Sequence, residues 1–512
     1  MQLFDVLHNI PTVQIRGNVS GDVSTICYDS RTCGKNSMFV AICGLKNDGH
    51  DFIPHAISNG ATFIVHEKDI PLLPRVTAIK VTDSRKILGS LGKNFYNDPS
   101  AHLCLVGVTG TNGKTTVTYL LESIFKRAGF NVGVLGTINY RFNENTFPAP
   151  HTTPESFELQ RILRTMADHG VTHVVMEVSS HAADLKRADE CAFDIGIFTN
   201  LSQDHLDYHH TMENYFQAKK RFFDEILPSG KKQNTNVMIV NGDDLWGKRL
   251  LSEVRADIRV LTFGFESRCD VTADQLNFTL DGIKANIHAD HVHFTVVSSL
   301  IGRFNLYNIL ASSATAISLN VPERIIQNGI ESLKNVPGRL EMIGDTGQPK
   351  VFVDYAHTED ALRRVLQNLS LSKQGNIITV FGCGGDRDRG KRPRMGEVVA
   401  ELSDFAVITS DNPRSEDPLS IINDIEAGIP KDAIKKFLPE ELNNYGEKGY
   451  VVIPDRRRAI ETAIALADPT DIILIAGKGH ENYQIIGNRQ FPFDDRIVAR
   501  DALTHRYRGE SH

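Results

Sequence analysis

The chain reads as an α/β protein of three domains, and three observations lead there. A short apolar run ends in a Gly-rich turn that opens a helix within residues 103–129. Strand-like and helix-like segments alternate along most of the 512 residues. At roughly 150 residues per domain, a chain of this length divides into about three.

The turn comes first because the rest of the chain is organised around it. Leu103–Val108 is apolar and β-branched, as a buried strand requires, and Thr116–Gly129 carries Leu120, Leu121, Ile124 and Phe125 at helical spacing. Between them Gly110-Thr111-Asn112-Gly113-Lys114-Thr115-Thr116 can wrap a phosphate in backbone N–H groups at a helix N-terminus. Lys114 is placed to reach β- and γ-phosphates and the Thr115 hydroxyl to ligate Mg²⁺. The loop is shorter than the usual GxxxxGK[ST], since Val108 stands five residues before Gly113.

Composition narrows the class. Hydrophobic and charged contents of 41% and 23% suit a globular enzyme, and a net charge of −7 argues against a general nucleic-acid or anionic-membrane surface. Met1–Val13 contains Asp5 and His8 and does not read as a secretory leader. No apolar run approaches the ~20 residues of a membrane span. The seven cysteines are scattered without a CxxC pair, so neither a zinc site nor a disulfide framework is expected. The expected compartment is the cytoplasm.

Residues 1–100 form the first expected domain, with strands at Ser37–Ile42 and Ala61–Val65 and a helix at Ile53–Asn59. Residues 101–339 form the second. Here Val171–Val178 is a strand with Glu177 near its end, where a carboxylate can face phosphate-bound Mg²⁺. After the strand Phe193–Phe198, Asp204, His205 and Asp207 are close enough together to be metal or phosphate ligands, in no standard zinc spacing. A helix spans Met212–Ile226, and on pattern alone its Lys219, Lys220 and Arg221 are a solvated face. Asn236–Val240 is a strand, residues 257–300 are hairpins, and Gly302–Asn308 introduces a helix over Ile309–Leu319. Asn305 and Asn308, one turn apart, can face one ligand or cap that helix.

Val336-Pro337-Gly338-Arg339 breaks the pattern and opens the third domain, residues 340–512. Five of its strands end in polar loops: Asp354–His357, Gly382–Arg392, Ser410–Arg414, Asp455–Arg458 and Gly477–Glu481. Ligands of open parallel sheets bind beyond the carboxyl ends of strands, and Arg387 and Arg414 are suited to clamp a carboxylate. Two such domains facing each other across a cleft fit a ligase or kinase acting on a carboxylate.

Six motifs occur in fixed order: Gly110–Thr115, Glu177-Val178-Ser179-Ser180-His181, Asn200–His209, Asp354–Thr358, Asp411-Asn412-Pro413-Arg414 and Gly477–Glu481. From about Asp29 to Arg496 the chain resembles the Mur ligases of bacterial peptidoglycan synthesis, nearest the diaminopimelate-adding members. The resemblance implies an N-terminal domain for the UDP end of the substrate, a central P-loop-type ATPase and a C-terminal Rossmann-like domain for the incoming amino acid. It implies that ATP phosphorylates the D-Glu γ-carboxylate of UDP-N-acetylmuramoyl-L-Ala-D-Glu. The amine of meso-diaminopimelate then attacks the acyl phosphate.

By the same resemblance Lys114 holds phosphates, Thr115 and Glu177 serve one Mg²⁺, and His205 serves a second. Lys219 aligns with a carbamylated lysine (N6-carboxylysine) that also organises Mg²⁺, which would reverse its solvated-face reading. Asn305, Arg339, Asp354 and His357 belong to the ATP side. Ser30, Thr152, Thr153, Ser179 and Arg187 resemble contacts to the UDP-muramoyl dipeptide, with Leu185 standing where relatives often have Gln. Arg414 is expected to bind the distal carboxylate of diaminopimelate, and Arg387, Asp411, Asn412, Pro413, Gly477 and Glu481 complete that pocket. The expected partners are small molecules, with no nucleic acid or membrane insertion and the chain acting as a monomer. The rival readings are a lysine-adding ligase, a folylpolyglutamate synthase, and a nucleotide-dependent switch that binds without ligating.

Overall fold

The computed structural model describes residues 1–512 other than 45–46, 72–73, 231–235, 254–257, 267, 345–347, 431–433, 445–446 and 509–512. Three α/β sheets follow one another along the chain. The first joins Gln14–Arg16 (β1), Ile26–Cys27 (β2), Ser37–Val40 (β3), Ala61–His66 (β4) and Thr77–Lys80 (β5) in the order β1-β5-β4-β3-β2. All four residues of β3 are buried, as a strand covered on both faces requires.

The second sheet has eight strands: Cys104–Thr109 (β6), Val132–Leu135 (β7), Asn139–Phe142 (β8), Asn145–Pro148 (β9), His173–Glu177 (β10), Ile195–Phe198 (β11), Val237–Asn241 (β12) and Arg259–Phe263 (β13). Their order is β13-β12-β11-β6-β10-β7-β8-β9, parallel from β13 to β7 and antiparallel through β8 and β9. Val106 and Val108 of β6 pack with the helix Lys114–Arg127 on one face, while Leu105 joins the core on the other. That period of two explains why β6 is apolar without interruption. The chain leaves β6 towards β7, returns to place β10 beside β6, and then crosses to β11 on the far side. The crevice beyond the ends of β6, β10 and β11 is therefore a topological switch point, where open parallel sheets bind ligands. A meander of Thr272–Thr279 (β14), Gly282–Ala289 (β15) and Val292–Ser298 (β16) adds its apolar face to the same core.

The third sheet contains Glu341–Ile343 (β17), Lys350–Asp354 (β18), Ile377–Phe381 (β19), Phe405–Ile408 (β20), Lys435–Phe437 (β21), Gly449–Val452 (β22) and Ile472–Ala476 (β23). Its order is β17-β18-β23-β19-β20-β22-β21, with β17 antiparallel to β18 and the others parallel. The polar loops after β18, β19, β20, β22 and β23 consequently emerge on one edge. A hairpin, Tyr483–Ile486 (β24) and Arg489–Pro492 (β25), follows.

Four local expectations change. Of the hairpins expected over 257–300, the first strand, β13, instead pairs parallel with β12 at the edge of the second sheet, and only β14–β16 form antiparallel hairpins. The helix expected from Ile309 begins at Arg303, because Gly302 at φ +97° turns the chain and Asn305 Nδ2 donates to the Ile301 carbonyl at 2.8 Å. Asn305 and Asn308 thus lie inside the helix rather than ahead of it. The helix expected over Met212–Ile226 is α-helical to Arg221 and continues as a π-turn over Phe222–Ile226, where Phe222 and Phe223 are wholly buried. Lys220 and Arg221 are not a free solvated face. Lys220 pairs with Asp224, and Arg221 with Asp189 at 2.6 Å, the two side chains being 14% and 20% exposed. Among the described residues no helix is long and apolar enough to cross a membrane.

Candidate active site

The turn after β6 has the conformation its sequence requires. Gly110 sits at φ +140° and Gly113 at φ +93°. A Cβ would come within 1.9 Å of Thr199 Oγ1 at the first and 2.3 Å of Asn308 Oδ1 at the second. The loop is pinned from β11: Thr111 N donates to the Asn200 carbonyl at 2.8 Å and Asn112 N to Asn200 Oδ1 at 3.0 Å. Beyond it lies a cavity of about 240 Å³. Gly113–Thr116, the start of the helix, line it, where backbone dipoles favour an anion.

Two lysines converge on one carbonyl. Lys114 Nζ donates to Gly110 O and Thr111 O, both at 2.9 Å, and Lys219 Nζ donates to the same Gly110 O at 2.9 Å. Lys219 is 1% exposed, because it shares the buried side of its helix with Tyr215, whose ring it faces at 4.7 Å. Burial, reinforced by the neighbouring Lys114, pushes the Lys219 ammonium well below its ordinary value. Burial also lowers Lys114. Arg339 joins Lys114 on the wall of this cavity. Its Nη2 donates to Thr115 Oγ1 at 3.2 Å, and its guanidinium stacks over Tyr355 at 4.7 Å.

Opposite them Glu177, 1% exposed, accepts from Thr115 Oγ1 at 3.0 Å, Thr137 N at 2.9 Å and Thr137 Oγ1 at 3.0 Å. Thr137 Oγ1 also hydrogen-bonds with Thr152 Oγ1 at 3.0 Å, so a chain of hydroxyls runs from the phosphate loop to the residue 152 turn. His205, at φ +54°, faces Asp204 at 3.5 Å and His181 ring to ring at 4.9 Å. Desolvation in the cleft takes its imidazole down to about 4.

The third sheet closes the cavity with Asp354, Tyr355, Ala356, His357 and Thr358. Asp354 spends both oxygens on backbone N–H groups, accepting from Leu340 N at 2.6 Å in the segment before β17 and from Ala356 N at 2.7 Å in its own turn, and burial raises its pKa. His357 Nδ1 donates to the Tyr355 carbonyl at 2.8 Å, which leaves Nε2 as the acceptor. Asn308 lines the cavity, while Asn305 sits behind it and accepts from Asn308 Nδ2 at 2.9 Å.

The residues expected to hold the muramoyl dipeptide divide. Thr152 and Ser179 line the cavity. Thr153 is buried, its hydroxyl donating to Glu177 O at 2.9 Å and accepting from Ser179 N at 3.2 Å. Arg187 Nη1 donates to Thr153 O at 3.3 Å, and its Nε lies 3.5 Å from Glu155. Ser30 stands apart in the first domain, in the 3-10 turn Ser30–Thr32 after β2, bonded to His55 Nδ1 at 2.9 Å.

A second cluster of candidate residues gathers where the loops after β19, β20 and β23 meet. A Cβ placed on Gly384 would lie 3.0 Å from Arg414 Nη1 and 3.8 Å from Arg387 Cγ, so the two arginines flank one point. Arg414, at φ +51°, donates through Nη1 to Gly385 O at 2.7 Å. Asn412 Nδ2 and Lys478 Nζ hold Glu481 Oε2 at 2.8 and 3.0 Å. A Cβ on Gly477 would come 2.7 Å from Asp411 Oδ2, and Gly477 N donates to Asp354 O at 3.0 Å. The cluster and the cavity thereby share a strand end.

Comparison with known proteins agrees with this geometry. Residues 22–96 match the Mur ligase catalytic-domain family, 108–316 the Mur ligase middle domain, and 338–479 the Mur ligase glutamate ligase domain. The chain is 44% identical over 512 residues to the UDP-N-acetylmuramoyl-L-alanyl-D-glutamate–2,6-diaminopimelate ligase of Geobacter sulfurreducens, covering 100% of both chains. The chain belongs to the Mur ligase family. It is also 44% identical over 497 residues to the Mur ligase of the same name from Geobacter metallireducens, covering 97% of each. A solved structure of a ligase with that name superposes with a TM-score of 0.69 at 30% identity, covering 99% of both chains.

Several residues of this Mur ligase site carried no signal in the sequence. Thr137 and Arg364 line the cavity through contacts between distant segments, as does Tyr355. Thr137 follows Gly136 in a turn with no motif, and only the fold brings it to Glu177. Tyr355 lies inside a quoted motif, and its neighbours gave the only clue.

Proposed function

We propose that the chain is an ATP-dependent, amide-forming ligase that joins meso-2,6-diaminopimelate to the D-Glu γ-carboxylate of UDP-N-acetylmuramoyl-L-Ala-D-Glu in peptidoglycan precursor synthesis. One observation carries the proposal: Lys114, Glu177, Thr152, Arg339 and His357, from the phosphate loop, the acceptor side and the third sheet, line a single cavity. On this reading residues 1–100 take the UDP end, 101–339 the nucleotide and 340–512 the amino acid, in the cytoplasm.

The chemistry is phosphoryl transfer followed by acyl transfer. A γ-carboxylate oxygen attacks the γ-phosphorus of ATP, and ADP leaves. The amine then attacks the acyl carbon and phosphate departs, yielding the amide. The protein's work is positioning and charge neutralisation. Lys114 and Arg339 face the phosphates, and the loop N–H groups hold the chain of oxygens. Thr152 and Ser179 orient the acceptor. The donors fit Mg²⁺: Thr115 and Glu177 offer hard oxygens side by side, with His205 across the cleft, and the metal would neutralise phosphate charge. Lys219 fits that set as its carbamate, which supplies oxygen in place of nitrogen. Its buried amine, held towards the neutral form, is the species that adds carbon dioxide.

The test is phosphate release from ATP with UDP-N-acetylmuramoyl-L-Ala-D-Glu and diaminopimelate together and with each omitted in turn. Release that requires both acceptor and amine is the expected result. Release independent of either, or none at all, would return the chain to the class of nucleotide-dependent binding proteins.

A further inference from the structure

The helix Lys391–Leu402 carries a wholly buried arginine that the ligation chemistry does not use. Arg392 is 0% exposed. Its Nη2 and Nη1 donate to Glu416 Oε1 and Oε2 at 2.7 and 2.9 Å, Nη1 also to Asp424 at 2.9 Å, and Nη2 to Gly384 O at 3.3 Å. The Arg392 cation keeps the Glu416 carboxyl down at about 2, so the pair stays charged at any working pH.

Glu416 passes the constraint on. Its Oε1 accepts from Asp386 N at 2.6 Å, and Asp386 in turn accepts from Ser415 Oγ at 2.6 Å and Ser415 N at 3.2 Å. Gly385 N donates to Asn412 O at 2.9 Å. These bonds latch the loop after β19, which carries Arg387, to the loop after β20, which carries Arg414. The same latch sets Gly385 O, the acceptor that aims Arg414 Nη1. With Arg392 wholly buried and Glu416 22% exposed, such an ion pair is a poor device for stability alone, since apolar residues of equal volume often do as well, and its better-attested use is fixing register.

We propose that Arg392 and Glu416 are positioning residues for amine specificity. Without touching the amino acid, they hold Arg387 and Arg414 at the spacing of one carboxylate. The inference rests on the functional reading above, in which Arg414 takes the distal carboxylate.

The experiment compares wild type, Glu416→Gln and Arg414→Ala, measuring KM for meso-diaminopimelate, KM for ATP, and the ratio of kcat/KM for diaminopimelate to that for L-lysine. Glutamine keeps the shape and an acceptor for Asp386 N but loses the charge that Arg392 grips. The expected result for Glu416→Gln is a rise in the diaminopimelate KM of about tenfold or more, with the ATP value within about twofold and a falling preference over lysine. A purely structural role would lower the active fraction and leave both the KM values and the preference unmoved; that result overturns the proposal. If Arg414→Ala also leaves the diaminopimelate KM unchanged, the functional reading fails with it. If Glu416→Gln does not fold, Ser415→Ala, which removes one exposed bond of the same latch, is read by the same criteria with a smaller shift expected.

Discussion

In the nucleotide cavity the buried cations end on carbonyl oxygens, whereas around the amine pocket they end on carboxylates. Lys114 and Lys219 both donate to Gly110 O. Arg392 meets Glu416, Lys478 meets Glu481, and Arg456 meets Asp495 in a pair with both side chains 0% exposed. An ammonium against carbonyls has no counter-charge of its own and is pressed towards neutrality, which leaves Lys114 to meet an incoming polyanion and Lys219 to react as a neutral amine. A cation already balanced by a carboxylate contributes geometry instead. Arg456 shows this: it also donates to Ala476 O at 3.0 Å, just ahead of Gly477. One site is held short of anion until its ligand arrives; the other is set in advance, leaving Arg387 and Arg414 to meet a substrate carboxylate.

The largest effects are expected at the two lysines that have no carboxylate partner among the described residues. Lys114→Ala should lower phosphate release by about 10²–10³-fold with an unchanged circular dichroism spectrum. Lys219→Met should abolish ligation as well, yet leave thermal stability equal or higher, because a buried amine is replaced by an apolar chain of similar length. Wild-type rates in that variant would remove the carbamate from the account. The balanced region should behave in the opposite way. Arg456→Met should cost about 3–5 kcal/mol in chemical denaturation by stranding Asp495, and Arg456→Met with Asp495→Leu should recover most of it. Equal losses in the single and double variants would mean that the pair is not the unit that matters.

Arg414→Ala should raise the diaminopimelate KM by about 10²-fold while moving that for ATP little, since a few kcal/mol of distal-carboxylate recognition is lost. A smaller effect belongs to acid. His209, 5% exposed and bonded to Ser180 Oγ at 2.9 Å, is driven by burial from the ordinary 6.5 down to about 4. A depressed imidazole stabilises the fold above pH 6.5 and loses that contribution as pH falls towards 4, because the unfolded chain takes up the proton first. At pH 5 the loss is about 2 kcal/mol. His209→Gln should flatten the unfolding midpoint between pH 7 and 5; an unchanged slope would place the titration elsewhere.

The fold was legible wherever burial is two-sided. β6, β19 and β23 are continuous apolar runs, and their limits fall within a residue or so of the sequence reading. Residues in contiguous motifs, such as Gly110–Thr115 and Asp411–Arg414, could be read because one turn presents them together. Lys219 could not be read from pattern, since a basic run looks solvated until the packing of Tyr215 and Phe216 shows which side of the helix is inside. The start of the helix at Arg303 was hidden by polar residues that serve its first turn. Thr137, Arg392 and Glu416 act across long sequence separations, which no local spacing encodes. Ser30 was named by resemblance, and its hydroxyl is engaged with His55 of the helix Ile53–Ser58 within the first domain.

The measurement that bears most directly on the division between the two sites is steady-state phosphate release at saturating ATP and UDP-N-acetylmuramoyl-L-Ala-D-Glu, titrating meso-diaminopimelate against L-lysine in wild type and Arg414→Ala. A pocket set in advance around Arg387 and Arg414 predicts turnover with diaminopimelate and little with lysine, and a preference that collapses in the variant. Equal use of lysine by the wild type, or a preference that survives without Arg414, would contradict it.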